Sequence, residues 1–438
     1  MESQRRPNDL LAAAAVLIIA LACAVALFVL VHHPASSQAL PEPTASPKAG
    51  PLVISRGGVY HGTWVSGDPD IPAVLVKTTE PVTLEGCTLR GRGDLIATGV
   101  DHANITIRNT RGTGVNPGVA GRTPGRFFTG ESCDAVVIEN NDLTHTAGIY
   151  FLSYGGDFKP PHTFKVLRNR ARNMDGRKSD GHGGWLDFNT RTPRAGGPAE
   201  NGFVEVQFVA LDKVRHVPGI EIAWNEVIND PGESRVEDNI NIYLSSGTVK
   251  NPIQIHDNFI RGAYTIDPAK SDIHDSRFDY DWQFSGGGIL LGDGNPDSPE
   301  NAPAFVEAYD NQVIDTSNYG IAIEVGHDSV FHDNRILSAG LLPDGRPIAA
   351  QNVGAGIWDG HHGADRSPPT FFNNSGRGNI IGWVKGKGRN DWWTPDAKAW
   401  KANRRWPGQV TPEAQEAEWV RWNEKVRKRR LVLGSRPE

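Results

Sequence analysis

The segment Val137–Leu143, with the sequence Val-Ile-Glu-Asn-Asn-Asp-Leu, decides the fold of this 438-residue chain. Its apolar and polar residues alternate, which is typical of a short strand with one buried face, and its asparagines suit a sharp turn at the end of the strand. The same phrase returns in six segments: Lys165–Asn169, Ile220–Asn225, Ile253–Asn258, Val306–Asn311, Val330–Asn334 and Phe371–Asn374. A phrase that recurs in this way indicates a solenoid, in which each repeat forms one coil.

The residue that ends each of these strands is predicted to form a ladder through the stacked coils. Asparagine tolerates the left-handed backbone region, and stacked amide side chains hydrogen-bond to one another. Cys87 and Thr110 occupy the ladder position in the first coils. The position of the turn in the repeat is therefore kept there, although the residue is not asparagine. Since Cys87 and Cys133 fall in different coils, we expect two separate buried thiols rather than a disulfide.

A second phrase follows most ladder positions, in which a glycine or an asparagine leads into alternating apolar residues. It occurs in six segments: Gly148–Phe151, Gly184–Phe188, Asn239–Tyr243, Gly288–Leu291, Gly320–Val325 and Gly356–Asp359. One coil is therefore predicted to contain a strand, an asparagine turn, a second strand and a variable loop. An antiparallel β-sandwich is the competing fold, but its strands carry no asparagine repeat in fixed phase.

This pattern resembles the right-handed parallel β-helix proteins of the pectate-lyase-like superfamily over residues 51–384. The resemblance implies an all-β solenoid whose outer strand faces form a long groove, along which an extended polysaccharide can lie. It implies a fold rather than a reaction, because the repeat encodes the stacking of coils. The net charge of −6 gives no indication of nucleic-acid binding.

The N-terminal residues predict a membrane anchor. Residues 10–31 form an unbroken apolar run that is long enough to span a bilayer as a transmembrane helix. Arg5 and Arg6 precede the run, so we expect residues 1–9 in the cytoplasm and the main domain in the periplasm or outside the cell. Residues 32–50 are rich in proline, alanine and serine and are expected to form an extended linker. A cleaved secretory signal, with its cleavage site at Ser37–Ala39, is the alternative.

Residues 385–438 differ in character from the repeats. Seven of the twelve tryptophans lie beyond residue 382, and the sequence Thr411-Pro412-Glu413 is typical of a helix N-terminus. Basic residues from Lys425 onward cluster at the end of that helix, where they interact favourably with its dipole. We expect this Trp-rich segment and its basic helix to cap the open end of the solenoid. A sugar-binding or membrane-facing aromatic surface is the alternative.

The outward positions of the second strand set carry the candidate site. Because side chains alternate between the two faces of a strand, polar residues between the apolar ones are predicted to point away from the core. The predicted catalytic residues on or just beyond these strands are Asp187, Glu324, His327, Asp359 and His361, and the predicted sugar-stacking residues are Tyr150, Tyr243 and Trp358.

Two chemistries suit this set of residues. Paired carboxylates cleave glycosidic bonds, one as the acid and the other as base or nucleophile. A histidine base beside a charge-neutralising group instead removes a proton next to a uronate carboxylate, which leads to elimination or epimerisation. We expect an anchored, extracytoplasmic lyase or epimerase that acts on an acidic polysaccharide. A glycoside hydrolase of the same fold and a non-catalytic glycan-binding or cell-envelope assembly protein are the alternatives.

Two short elements are similar to motifs of neighbouring families. Asp180–Gly183 is similar to the Gly-His-Gly element of polygalacturonases, which makes His182 a further catalytic candidate, although the upstream Asn-Thr-Asp and Asp-Asp elements of that family are absent. Ile266–Pro268 is similar to the Asp-Pro-His element of mannuronan epimerases, but Ala269 stands where that family has histidine.

A loop after the second strand set could hold a metal ion. Asp293, Asn295 and Asp297 space their oxygens as calcium loops do, without the later bidentate glutamate. Calcium is therefore the one candidate cofactor that the sequence suggests.

Overall fold

The computed structural model describes residues 50–155, 163–186, 202–269, 273–275, 280–282, 286–394 and 397–436. Three long parallel sheets run through these residues, and the neighbours within each sheet come from successive coils. The predicted parallel β-helix is therefore confirmed. Residues 1–49, which contain the predicted membrane anchor and linker, lie outside the described residues. None of the described helices is long and apolar enough to cross a membrane.

The strands are numbered in chain order and grouped here by sheet. The first sheet contains β1 (Leu52–Ile54), β4 (Val74–Val76), β7 (Ile96–Thr98), β10 (Phe128–Glu131), β13 (Ile149–Gly155), β16 (Val209–Arg215), β19 (Ile240–Tyr243), β24 (Gly287–Asp293), β27 (Tyr319–Ile323), β30 (Val353–Ile357) and β34 (Trp392–Trp393). The second contains β2 (Gly58–Tyr60), β5 (Val82–Glu85), β8 (Asn104–Arg108), β11 (Ala135–Glu139), β14 (Thr163–Leu167), β17 (Glu221–Ala223), β20 (Ile253–His256), β25 (Val306–Tyr309), β28 (Val330–His332), β31 (Ser375–Arg377) and β35 (Trp400–Lys401).

The third sheet contains β3 (Thr63–Ser66), β6 (Thr88–Gly91), β9 (Arg111–Gly114), β12 (Asp142–Thr144), β15 (Arg170–Arg172), β18 (Glu226–Ile228), β21 (Phe259–Ala263), β26 (Gln312–Thr316), β29 (Arg335–Ser338), β32 (Ile380–Lys385), β33 (Gly388–Arg389) and β36 (Arg404–Arg405). A small antiparallel hairpin joins β22 (Ile273–Asp275) to β23 (Tyr280–Trp282). The helical elements are one α-helix, α1 (Pro412–Arg429), and three 3₁₀ turns among the described residues: Pro299–Asn301, Gly363–Asp365 and Ala397–Ala399.

Most coils contribute three strands, whereas the sequence predicted two. The third-sheet strand directly follows the asparagine turn and is often only three residues long, as in β12 and β15, so it is too short to show an alternating pattern. The sheets also continue beyond residue 384, the predicted end of the solenoid. There β34, β35 and β36 pair in parallel with β30, β31 and β32 and form a further coil.

The core lies between the three sheets and consists of the inward residues that alternation predicts. Ile149, Ile240, Ile289 and Ile321 are each fully buried. They follow one another in register through the first sheet, with Val209 between the first two. Because identical spacing recurs in every coil, apolar side chains of successive coils stack into a continuous column.

The predicted asparagine ladder is present, and its members are buried except for Asn403 at its end, which is half-buried. The amide nitrogen of Asn225 donates to Asn258 Oδ1 at 2.9 Å and to the Val166 carbonyl of the preceding coil at 2.9 Å. The ladder consists of Cys87, Thr110, Asn141, Asn169, Asn225, Asn258, Asn311, Asn334, Asn379 and Asn403.

One ladder assignment is corrected and the thiol prediction is confirmed. Asn374, which the sequence placed in the ladder, instead accepts a hydrogen bond from Ser329 N at 3.1 Å, and Asn379 occupies the ladder position of that coil. The phrase Phe371–Asn374 precedes β31 (Ser375–Arg377) instead of ending it, so its asparagine lies at a different corner of the coil. Cys87 and Cys133 are both buried and free.

Helix α1 begins as the sequence predicts but does not cap the end of the solenoid. The Thr411 hydroxyl accepts a hydrogen bond from Ala414 N at 3.3 Å. The helix lies along the third sheet, where Trp422 Nε1 donates to the Asp257 carbonyl at 2.8 Å and Arg335 pairs with Glu418 at 2.6 Å. Beyond the helix the chain reaches an early coil, where Ser435 N donates a hydrogen bond to Asp142 Oδ2 at 3.2 Å. We therefore name residues 412–436 the C-terminal strap.

Helix α1 lies on the third sheet because the outer surface of that sheet is apolar. Strands β21, β26 and β29 contain adjacent apolar residues, such as Phe259-Ile260, so one side chain of each pair faces the core and the other faces outward. The outward members Phe259, Ile314 and Leu337 are buried in a cluster with Trp422. The solenoid end is instead covered by Trp392 and Trp400, which pack against the core 5.6 Å apart.

On the second sheet, three aromatic rings stack on successive coils. Tyr309 lies between His256, at 4.8 Å, and His332, at 5.3 Å, and both pairs of rings are nearly parallel. Burial lowers the pKa of His256, but hydrogen bonds to Asp257 and Glu221 outweigh it and raise that pKa to about 9. His256 therefore remains protonated in the folded protein at neutral pH.

Replacement His256→Gln should reduce the pH dependence of stability in mild alkali. Because the folded-state pKa is raised above 6.5, the stabilisation by His256 is fully present below pH 6.5 and is lost as the pH rises through about 9. Urea unfolding at several pH values measures this as a smaller loss of unfolding free energy in the variant than in the wild type. His362→Gln, at an exposed histidine, is the control. Equal slopes in H256Q and wild type would contradict the prediction.

Candidate functional site

The outward side chains of the first sheet come into register on neighbouring coils. One row runs through Tyr150, Ala210, Asn241 and Leu290. A second row, two residues further along β16 and β19 and three further along β24, places Asp212 beside Tyr243 and Tyr243 beside Asp293. The extra residue in β24 reflects a shift of register between β19 and β24. We refer to this surface as the outer face of the first sheet, and it carries the candidate site.

Glu324 lies just after β27 in a half-buried position on this face. Burial raises the pKa of its carboxyl, and the negative charge of Asp293 on the neighbouring coil raises it further. A hydrogen bond with Trp358 and the charge of His361 act in the opposite direction and are weaker. A β-carbon at position 360 would lie 2.4 Å from Glu324 Oε1, so Gly360 leaves the room that this carboxyl occupies. Glu324 is therefore suited to hold a proton.

Asp293 is held in place by two hydrogen bonds. Its Oδ2 accepts from Asn241 Nδ2 at 2.9 Å, and its Oδ1 accepts from Gly294 N at 2.5 Å. These donors fix the orientation of the Asp293 carboxylate. Glu324 and Asp293 thus form a pair of carboxyl groups on adjacent coils, in which the charge of Asp293 raises the pKa of Glu324.

A buried polar chain lies behind this pair. Asn241 Nδ2 also donates to Asp238 Oδ2 at 3.1 Å, and Asp238 Oδ1 accepts from the Tyr319 hydroxyl at 2.6 Å. Burial raises the pKa of Asp238 well above its usual range, and the charge of Glu237 adds to the effect. The sequence analysis missed Asp238 and Tyr319. The position of Asp238 directly before the phrase at Asn239 was the available signal.

An aromatic platform adjoins Glu324. The indole rings of Trp358 and Trp393 are stacked, with centroids 5.5 Å apart and planes inclined by 22°, and Trp393 is 52% exposed. Stacked exposed indoles present the apolar surface on which sugar rings pack. Trp358 was predicted as a sugar-stacking residue. Trp393 was assigned to the Trp-rich C-terminal segment, for which a cap was expected and a sugar-binding surface was the alternative, because its pairing with β30 appears only in the structure.

A second polar group lies toward the N-terminal coils of the same face. The Tyr150 hydroxyl donates to Asp212 Oδ2 at 2.5 Å, and the guanidinium of Arg126 lies 4.3 Å from the centre of the Tyr150 ring. Burial and the hydrogen bond to Asp212 raise the pKa of Tyr150. Lys213 Nζ lies 3.5 Å from Asp212 Oδ1 and 6.0 Å from the ring centre of Tyr243.

Asp212 occupies the coil in which the sequence placed Asp187. The first-sheet strand between β13 and β19 is β16, so the segment at Gly184–Phe188 is not the strand of that coil. Asp187 itself lies outside the described residues. Asp212 and Lys213 were missed, because the phrase preceding β16 lacks the usual glycine or asparagine. Arg126, which lies just before β10, was missed as well.

The remaining predicted residues lie in different surroundings. His327 is 8% exposed at the corner between the first and second sheets, with its ring nitrogens 2.7 Å from Asp328 Oδ2 and 3.1 Å from the Pro299 carbonyl. Asp359 accepts backbone hydrogen bonds from residues 363 and 364, at 2.7 and 2.8 Å. His361 is exposed on this turn, near Glu324. His182 is exposed in the segment between β15 and β16. The structure thus groups Glu324 with Trp358 and His361.

The loop predicted to bind calcium has its oxygens engaged by protein donors. Asn295 Oδ1 accepts from Arg366 Nη2 at 2.5 Å, and Asp297 Oδ1 accepts from Asn301 Nδ2 at 2.7 Å. Within the described part of the chain, no group of three or more histidine, cysteine, aspartate or glutamate side chains is arranged to hold a metal ion. This donor set does not fit a calcium site, and no step below depends on a metal.

Comparisons with known proteins add little to this description. No family model matches the chain, and no curated protein matches its sequence. Among solved structures, the chain is similar to a mannuronic acid specific polysaccharide family 6 lyase enzyme from human gut microbiota, with a TM-score of 0.39 and 10% identity over 89% of this chain and 92% of that chain. The assignment of the fold rests on the parallel sheets themselves.

Proposed function

We propose that this protein is a polysaccharide-active enzyme that binds an extended glycan along the outer face of the first sheet. The observation that carries this proposal is the half-buried Glu324, whose pKa is raised by burial and by the charge of Asp293, with the Trp358 and Trp393 platform next to it. Adjacent coils are about 4.8 Å apart, close to the length of one sugar unit, so successive sugars can contact successive coils.

The carboxyl pair supports hydrolysis of a glycosidic bond. Glu324 would donate its proton to the glycosidic oxygen as the bond between that oxygen and the anomeric carbon breaks. Asp293 would remove a proton from the attacking water, or would attack the anomeric carbon itself. On the first route, the proton taken up by Asp293 is released to solvent and Glu324 takes up a proton from solvent. On the second route, Glu324 removes a proton from a water molecule that breaks the bond between Asp293 and the sugar, which restores both carboxyl groups. The platform of Trp358 and Trp393 would hold a sugar beside the scissile bond.

Elimination or epimerisation on an acidic polysaccharide is the second candidate, and the group around Tyr150 favours it. Such a reaction needs a base for the proton next to the uronate carboxylate and a cation that neutralises this carboxylate. Lys213 or the Tyr150–Asp212 pair would supply the base, and Arg126 the cation. His327, which the sequence suggested as the base, has both ring nitrogens in contact with protein oxygens.

The test is an activity scan of the chain from Gly50 onward on acidic and neutral polysaccharides. New reducing ends that disappear in Glu324→Gln would support hydrolysis. Ultraviolet absorbance of an unsaturated uronate that disappears in Tyr150→Phe would support elimination, and a changed uronate composition without cleavage would support epimerisation. Binding without any of these reactions would leave a non-catalytic glycan-binding or cell-envelope assembly protein.

We also propose that residues 10–31 anchor the protein in the cytoplasmic membrane with the β-helix on the outer side. The apolar run and the preceding Arg5 and Arg6 support this topology. Membrane fractionation of the full chain, followed by protease treatment of intact cells, tests it. Recovery of a soluble chain that begins after Ala39 would show a cleaved signal instead.

Replacement Asn241→Ala should lower kcat about tenfold while leaving KM nearly unchanged. The variant removes the side-chain donor that orients Asp293, and a hydrogen bond to a charged group contributes about 1.5–3 kcal/mol. Asp293 then loses its fixed orientation, so steady-state kinetics should show the loss in kcat rather than in KM. Asn251→Ala, at an exposed turn, is the control. An unchanged kcat in N241A would contradict a positioning role.

A further inference from the structure

A second cavity, distant in the fold from the outer face of the first sheet, lies between the C-terminal strap and the third sheet. Its volume is about 410 Å³, which falls within the range of small-molecule sites. Its walls come from the outward side of β15, β18, β21 and β26, from residues 341–345 and from the first turns of α1. Neither the repeat nor the proposed catalytic pair accounts for it.

The inner wall of the cavity carries polar groups that are held in place. Asp315, just before the end of β26, accepts a hydrogen bond from Ser338 Oγ at 2.7 Å. Burial raises the pKa of Asp315 to about 6, while Ser338, Gln415 and Arg261 lower it and Glu416 raises it. Tyr264, which also lines the cavity, is 3% exposed.

Charge is nearly balanced around the cavity. Arg261 Nη1 is paired with Glu416 Oε1 at 2.9 Å, so this cation is already compensated. Asp230 and Arg172 line the exposed rim. An anionic ligand would be repelled by Asp315 and Asp230, and a cationic ligand would be repelled by Arg172. A neutral ligand with many hydroxyl groups can instead donate to the carboxylates and accept from the guanidinium.

The cavity also has an apolar wall. Leu341 and Pro343 lie on one side, and Trp419 of α1 lies on the other. Trp419 Nε1 donates to Glu226 Oε1 at 3.2 Å, which holds the indole ring against the third sheet. An aromatic ring and aliphatic side chains facing a few fixed polar groups match the two surfaces of a sugar, its C–H face and its hydroxyl edge.

We propose that this cavity is a second carbohydrate site, which binds one or two neutral sugar units. Asp315 and Asp230 would accept hydrogen bonds from sugar hydroxyls, Arg172 and Tyr264 would donate, and Trp419 would pack on the ring. This site would hold the protein on a glycan independently of the polysaccharide that reacts on the outer face of the first sheet. The proposal therefore does not depend on catalysis by Glu324.

Calorimetric titration of the chain from Gly50 onward with cellobiose, maltose, mannobiose and a galacturonate dimer tests the proposal. We expect at least one neutral disaccharide to bind, Asp315→Asn and Asp230→Asn each to weaken that binding about tenfold or more, and Glu324→Gln to leave it unchanged. Asp230 lies at the exposed rim, so its replacement does not threaten folding. Asp101→Asn, at an exposed aspartate of an early coil, is the matched control and should bind normally.

Four results would overturn the proposal. These are no binding of any neutral disaccharide, tighter binding of the galacturonate dimer, full affinity in both the D315N and D230N variants, or loss of binding in E324Q. The last result would place the bound sugar on the first sheet and would leave the function proposed there intact.

Discussion

Glu324→Gln is expected to lower kcat by about 10²–10⁴-fold on whichever glycan proves to be the substrate of hydrolysis, the usual contribution of a general acid. Glutamine keeps the shape of the side chain but has no proton to give. Because the pKa of Glu324 is raised by burial and by Asp293, wild-type kcat should stay high above the usual pH range of a glutamic acid and then fall as the pH rises through that raised pKa. Steady-state kinetics across pH measures both effects.

The control for this prediction is Glu424→Gln, at an exposed position of α1. It removes one carboxylate of the same type without touching the first sheet, so kcat should remain that of the wild type. If E324Q kept full kcat while Tyr150→Phe lost it, the reaction would belong to the group at Tyr150, Asp212 and Arg126 instead.

Trp422→Ala should destabilise the fold by about 3–5 kcal/mol, the range for truncation of a buried large aromatic side chain. Trp422 is fully buried, its ring centre lies 5.7 Å from that of Phe259, and its indole nitrogen bonds to the Asp257 carbonyl. Removal of the Trp422 indole ring leaves a cavity and weakens the packing of the C-terminal strap against the third sheet. The midpoint of denaturant unfolding, followed by circular dichroism, measures the change.

The matched control is Trp393→Ala, which removes the same side chain from a 52% exposed position. It should cost less than about 1 kcal/mol of stability, yet it should weaken glycan binding on the first sheet. Equal losses of stability in the two tryptophan variants would show that the strap contributes no more than a surface contact.

Much of the fold could be predicted from local patterns in the sequence. The asparagine ladder and the inward columns repeat once per coil, so a short stretch such as Ile253–Asn258 carries the information for its own strand and turn. The third sheet was missed because strands such as β15 are three residues long. Adjacent apolar pairs such as Phe259-Ile260 were a usable sign that this sheet is buried on both sides.

The candidate site was predictable only in part. Glu324 and Trp358 were found because alternation shows which side chains on or just beyond the strands point outward. Asp293 was predicted only as a calcium ligand, not as the partner of Glu324. Asp212 was not found, because the segment before β16 lacks the recurring phrase. The strand of that coil was therefore assigned to Gly184–Phe188 instead of β16. Interactions between coils, such as that of Asn241 with Asp293, depend on register and not on spacing along the chain.

By itself, the sequence determined that the chain stacks as a parallel β-helix with a buried asparagine ladder, because these features repeat within each coil and need only local order. The tertiary structure alone decided which outward residues meet, where α1 lies and which carboxyl has a raised pKa. Loops of unequal length separate the coils, so the charge of Asp293 acts on Glu324 only when the strands are in register. The raised pKa of Glu324 follows from that charge and from burial, and neither effect is a property of the chain before it folds.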